Sequence, residues 1–154
     1  MACLRLHNVF IVSVLGPVCN CNGPGKVVLA ARHCYPLKWL AMLCFKPLSE
    51  SGFHHELAAS SGPVLVMFSA PGCSTCRKVE KLLPQLVTGR VSCLYKVDVQ
   101  QSMGLARAYE VFHLPALFLF VDGRYHAPIE SEVTAVKMQQ ALEQALAAPP
   151  QDEP

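Results

Sequence analysis

Eight cysteines occur in the chain, at positions 3, 19, 21, 34, 44, 73, 76 and 93. Only the later ones lie in patterned sequence, and among these Cys73 and Cys76 form a C-x-x-C pair. The chemistry open to such a pair is thiol–disulfide exchange, in which the thiolate attacks; a free cysteine, with a pKa of about 8.5, is mostly protonated at neutral pH. The position must therefore favour the anion. Cys73 is expected where an apolar strand turns into a helix, and there the first helical amides lack intrahelical partners and the helix dipole presents its positive end. Cys73 thus reads as the nucleophile. Cys76, one turn further on, is placed to attack a mixed disulfide on Cys73 and acts as the resolving thiol. The alternatives for the pair are a structural disulfide or two idle thiols, and the strand, turn and helix start around it favour redox chemistry. Cys93 falls in a predicted strand, where an isolated thiol behaves as a small buried hydrophobe.

The elements that must position the pair are legible from residue 46 onward. Ser49 can cap a short helix that places Phe53 and Leu57 on one face and ends near Ser60, Ser61 and Gly62. Val64 to Phe68 is a continuous apolar run, as in a central strand covered on both faces. The turn Ser69-Ala70-Pro71-Gly72 delivers Cys73 to a helix with an apolar stripe of Val79, Leu82, Leu83 and Leu86. A second strand is expected over Val91 to Val99, then a helix capped by Ser102 and carrying Leu105, Ala108 and Tyr109. Ala116 to Val121 and Arg124 to Ile129 are read as an antiparallel pair joined at Asp122-Gly123, a two-residue hairpin signal. The last helix, from about Thr134 to Ala147, should bury Met138, Ala141, Leu142, Ala145 and Leu146 before Pro149 stops it. The fold class is α/β, a central mixed sheet with helices on both faces.

Composition bounds the function. The 154 residues provide one domain plus an extension, and with 52% apolar and 16% charged residues the chain should fold. A formal charge of +2 without a Lys/Arg run argues against nucleic acid as a partner. No Asp or Glu precedes Glu50, which separates an N-terminal extension over 1–44 from a domain over 45–147 and a polar tail over 148–154. Within the extension, the apolar run Val9 to Cys19 is broken by Gly16-Pro17 and is shorter than the ~20 residues a membrane-spanning helix needs. Arg5 followed by apolar residues resembles a signal peptide, but the region Cys19 to Asn22 lacks a small-x-small cleavage site. A cytoplasmic location is expected, with export as the alternative. Residues 1–41 also read as a poorly ordered or translated upstream stretch, with Met42 as the natural start. Cys19, Cys21, His33 and Cys34 have zinc-ligand chemistry without a standard ligand spacing, so no metal site is assigned.

Taken together, Phe68-Ser69-Ala70-Pro71-Gly72-Cys73-Ser74-Thr75-Cys76-Arg77-Lys78 and the distant Leu114-Pro115-Ala116, followed by an apolar strand and Asp122-Gly123, resemble the thioredoxin family. The resemblance runs from about Lys46 to Ala147. It implies a thioredoxin-like three-layer fold and a thiol:disulfide oxidoreductase that reduces protein disulfides through a redox-active Cys73–Cys76 disulfide, with no bound cofactor. The implied partners are protein disulfide substrates and a thioredoxin-reductase-like electron donor. Pro115 should be cis, and the backbone of Leu114 should pair with an extended substrate segment. Several residues depart from the family's pattern or tune it. Ser74-Thr75 stand where thioredoxins carry Gly-Pro, Gly72 replaces the usual Trp, and the single Trp, Trp39, lies outside the domain. Met67 occupies the place of a buried Asp that assists proton transfer at the resolving cysteine, which leaves that step slower or served by water or Lys96. Lys96 has a lysine counterpart in the family and is otherwise a solvated strand charge. His113, two residues before Pro115, would lower the Cys73 pKa as an imidazolium or else is an exposed loop histidine. A different class of function is a binding or adaptor module that keeps the fold and turns over weakly.

Overall fold

A computed structural model of the chain describes residues 43–154. The readings placed on Trp39, Met42, the signal-like segment and Cys19, Cys21, His33 and Cys34 lie outside the described residues.

The apolar runs become strands and the amphipathic runs become helices in the order β1 (Phe45–Pro47), α1 (Phe53–Ala58), β2 (Pro63–Ser69), α2 (Ser74–Leu86), β3 (Cys93–Asp98), α3 (Met103–Ala108), β4 (Ala116–Val121), β5 (Arg124–Pro128) and α4 (Ala135–Ala147). They assemble as a five-stranded sheet in the order β1-β3-β2-β4-β5. β1 and β2 run parallel to β3, whereas β4 runs antiparallel to both β2 and β5. This is the mixed sheet with helices on both faces that the sequence predicts.

Strand alternation divides the core in two. Val64, Val66 and Phe68 of β2 face α1 and α3 together with Tyr95, Phe118 and Phe120. Leu65 and Met67 face α2 and α4, where Val79, Leu83, Met138 and Leu142 cover them. β2 is thus covered on both sides, which explains its unbroken apolar run. On the first face Phe53 packs against Tyr109, Phe120 and Phe68, with ring centroids 5.3, 5.8 and 6.4 Å away. Truncating so enclosed a ring to Ala costs about 3–5 kcal/mol.

Several local expectations shift. Ser49 does not cap α1, whose N-cap is Gly52; its hydroxyl instead accepts the Gly52 amide at 3.3 Å, one turn ahead of the helix. Leu82, expected in the α2 stripe, is 46% exposed, and Leu146 is exposed on α4. Both residues flank a stripe that Leu83 and Leu142 already fill. The Asp122-Gly123 turn holds φ of 51° and 79°, the doubly left-handed hairpin geometry. Asp122 Oδ1 accepts the Gly62 amide at 2.8 Å and anchors that hairpin to the start of β2. Cys93 is buried as an apolar side chain would be, but it is not an isolated thiol, because it is disulfide-bonded.

Candidate functional site

The pair forms at the sheet end where β2 leaves the core. A backbone bond from Cys73 N to Ala70 O, 3.1 Å, closes the turn after β2, and Arg77 Nη1 reaches back to Pro71 O at 3.3 Å. Cys73 is therefore the N-cap of α2, with extended backbone angles, and its sulfur accepts the Cys76 amide at 3.0 Å. A side-chain acceptor at that place satisfies one of the helix's free amides, the role usually filled by Ser, Thr, Asp or Asn. Cys73 and Cys76 are joined in a disulfide with an S–S distance of 2.10 Å. Cys73 is half-buried, whereas Cys76 lies under the first turn at 2% exposure. An incoming sulfur can thus approach Cys73 far more readily than the buried Cys76. On reduction, the amide and dipole that face Cys73 favour a thiolate there.

The Leu114–Pro115 peptide is cis. It leads directly into β4, whose first residue, Ala116, pairs with Phe68 at the end of β2 that feeds Cys73. Sheet register therefore brings Leu114, Pro115 and the cysteine pair to one end of the molecule. Beside Pro115 opens a cavity of about 540 Å³, lined by Val79 of α2, Tyr109, Val111, Phe112, His113 and Val133 among others. Neither cysteine lines it. Phe112 stands at its rim 84% exposed, and His113 is exposed next to it. Ser74 and Thr75 are exposed on the first turn of α2, so their side chains are available to a docked partner and not to the core. Gly72 is exposed too, and a Cβ placed there would meet nothing within 4 Å.

Lys96 pairs with Met67 across β2 and β3, and Met67 is fully buried. Lys96 is not a free solvated charge, because its Nζ lies 2.5 Å from Glu80 Oε1. Glu80 escaped the sequence reading, although its place four residues after Cys76 puts it on the same face of α2. No sequence pattern marks His126 either: it is buried, its Nε2 lies 2.8 Å from Ala145 O, and its carbonyl accepts the Gln151 amide at 2.8 Å. The Tyr109 hydroxyl donates to Glu153 in the C-terminal tail. Burial, with help from that bond and the Glu153 charge, holds the Tyr109 hydroxyl far above its ordinary pKa. Among the described residues, no group of three or more His, Cys, Asp or Glu side chains could hold a metal ion. No described helix is long and apolar enough to cross a membrane.

Known proteins resemble this chain in sequence and in fold. The chain is 34% identical to a thioredoxin of Mycobacterium bovis over 79 residues, 50% of this chain and 68% of that one. It is 28% identical to thioredoxin 1 of Nostoc over 102 residues, covering 64% of this chain and 94% of the relative. Thioredoxin M3 of rice chloroplasts matches at 26% over 104 residues, 66% of this chain and 59% of its own length. Among solved structures, the zinc-bound form of human ERp44 superposes with a TM-score of 0.54 at 17% identity, over 65% of this chain and 30% of that longer one, a likeness of fold alone. The family model for thioredoxin matches residues 45–147, from the first strand to the end of the last helix. The chain belongs to the thioredoxin family.

Proposed function

We propose that this protein reduces disulfides in other proteins, with Cys73 as nucleophile and Cys76 as resolving thiol. The reading rests chiefly on one observation. Cys73 Sγ caps α2 and accepts the Cys76 amide at 3.0 Å, half-exposed above a buried partner. The Cys73 thiolate attacks one sulfur of a substrate disulfide, forming a mixed disulfide and releasing the other sulfur as a thiolate that takes up a proton. Cys76, once deprotonated, attacks Cys73 Sγ, and the second substrate sulfur leaves. The substrate gains two electrons and the protein is left as the Cys73–Cys76 disulfide. A reductase of the thioredoxin-reductase kind, drawing on NADPH, would return those electrons, and the cytoplasm is the compartment that suits this direction of flow. Leu114 would present its backbone to the substrate as an added strand, a contact that tolerates many side chains. Ser74, Thr75, Lys96 and His113 would tune the pair.

The test is NADPH-coupled reduction of insulin disulfides with thioredoxin reductase, comparing the full chain with its Cys73→Ser variant. Turnover that vanishes in the variant is the expected result. A folded chain without turnover would contradict the reading.

The adaptor reading has one observation in its favour: with Met67 buried beneath α2, that position offers no proton acceptor. Partner binding that is unchanged in Cys73→Ser would support it.

A further inference from the structure

Beyond Ala148, which caps α4, residues 149–154 run back over the domain. Pro149 and Pro150 cannot continue a helix and favour an extended backbone, so the chain leaves α4 as a stiff segment. Gln151 donates its amide to His126 O on β5, at 2.8 Å. Two residues on, the Glu153 carboxylate accepts the Tyr109 hydroxyl, and Pro154 forms part of the lining of the cavity beside Pro115.

We propose that residues 149–154 are a strap whose end, Pro154, walls the cavity next to the Leu114–Pro115 loop and must move before a protein segment can lie there. Every residue of the strap is exposed, and its polar ties are the Gln151 amide and the Glu153 carboxylate. Without a buried side chain to hold it, the strap exchanges between closed and open forms. The closed form lowers apparent affinity in proportion to its population. A small disulfide that needs only Cys73 avoids this competition, because Cys73 does not line the cavity. The consequence for protein substrates rests on the reductase reading above.

The experiment compares the full chain, a chain ending at Ala148, and Glu153→Gln. Three quantities are measured: KM for insulin disulfides, the rate with the small disulfide 5,5'-dithiobis(2-nitrobenzoate), and amide hydrogen exchange at Phe112 to Ala116. Removing the strap should lower KM for insulin about 3- to 10-fold, leave kcat and the small-disulfide rate unchanged, and speed exchange in the loop. Glu153→Gln should move KM in the same direction by less. An equal KM in all three chains overturns the strap. If no chain reacts with the small disulfide, it is the reductase reading that fails. The strap is then judged by exchange alone, where unchanged protection at Phe112 to Ala116 overturns it.

Discussion

Lys96 Nζ lies 2.5 Å from Glu80 Oε1, and this pair ties the strand residue beside Met67 to the helix that carries both cysteines. Glu80 follows Cys76 by one helical turn, so the ion pair lies on the face of α2 that carries Cys76. In Glu80→Gln the lysine loses its counter-charge, and the local field becomes more favourable to a Cys76 thiolate. Alkylation of Cys76 in a reduced Cys73→Ser background should then set in at lower pH when Glu80→Gln is added. Stability should fall by less than about 1 kcal/mol, since both partners are a third exposed. An unchanged alkylation profile would show that solvent screens the pair completely.

Gly123 closes the β4–β5 hairpin at φ 79°, and a Cβ there would sit 2.8 Å from both Ala58 Cα and Leu57 O. Gly123→Ala combines a left-handed backbone with a backbone collision against the end of α1, and it should cost about 2–4 kcal/mol. Urea unfolding monitored by circular dichroism measures this, with a lower midpoint expected at unchanged slope.

Gly72 faces open space immediately before Cys73. Gly72→Trp should change stability by less than about 0.5 kcal/mol and place an indole at the rim of the pair. Its fluorescence should respond to reduction of Cys73–Cys76, whereas the parent chain, whose single Trp is Trp39, should respond weakly. Titration with dithiothreitol distinguishes the two chains.

Alkaline pH should unfold the protein through its tyrosines. Burial raises the Tyr95 and Tyr125 hydroxyls above their ordinary value of 10.0, with smaller contributions from the charges of Glu56 and Glu153 respectively. Tyr109 shifts in the same direction. A raised folded-state value means that the stabilisation is complete below pH 10.0 and is lost as the pH climbs beyond it, because the unfolded chain releases tyrosine protons that the folded chain retains. The melting temperature should hold below that point and fall above it, and the fall should be smaller in Tyr95→Phe. A melting temperature that stays level at high pH in the parent chain would contradict this.

Much of the arrangement is visible in the spacing of residues along the chain. The apolar run of β2, the turn from Ser69 to Gly72 and the periodic face of α2 are local patterns, and together they place Cys73 at a helix start. Asp122-Gly123 likewise marks its hairpin through backbone preference alone. Local pattern misleads where it allows more than one outcome. The α2 stripe offers both Leu82 and Leu83, and only the fit against β2 and α4 leaves Leu82 outside. Ser49 has capping chemistry, yet its hydroxyl serves the turn ahead of α1. The three-residue β1 is too short to carry a period, and it becomes a strand because β3 offers it an edge.

The composition of the chain and the order of its elements thus establish a mixed α/β domain with a dithiol at a helix N-terminus. Its polar pairings are another matter. Lys96 with Glu80, Tyr109 with Glu153 and His126 with Gln151 join residues 16, 44 and 25 positions apart. Each depends on sheet order, on the register of the strands and on the path of the tail. Hydrophobic periodicity records which face of an element is buried, but not which distant side chain meets it there, so these contacts could be read only from the folded chain.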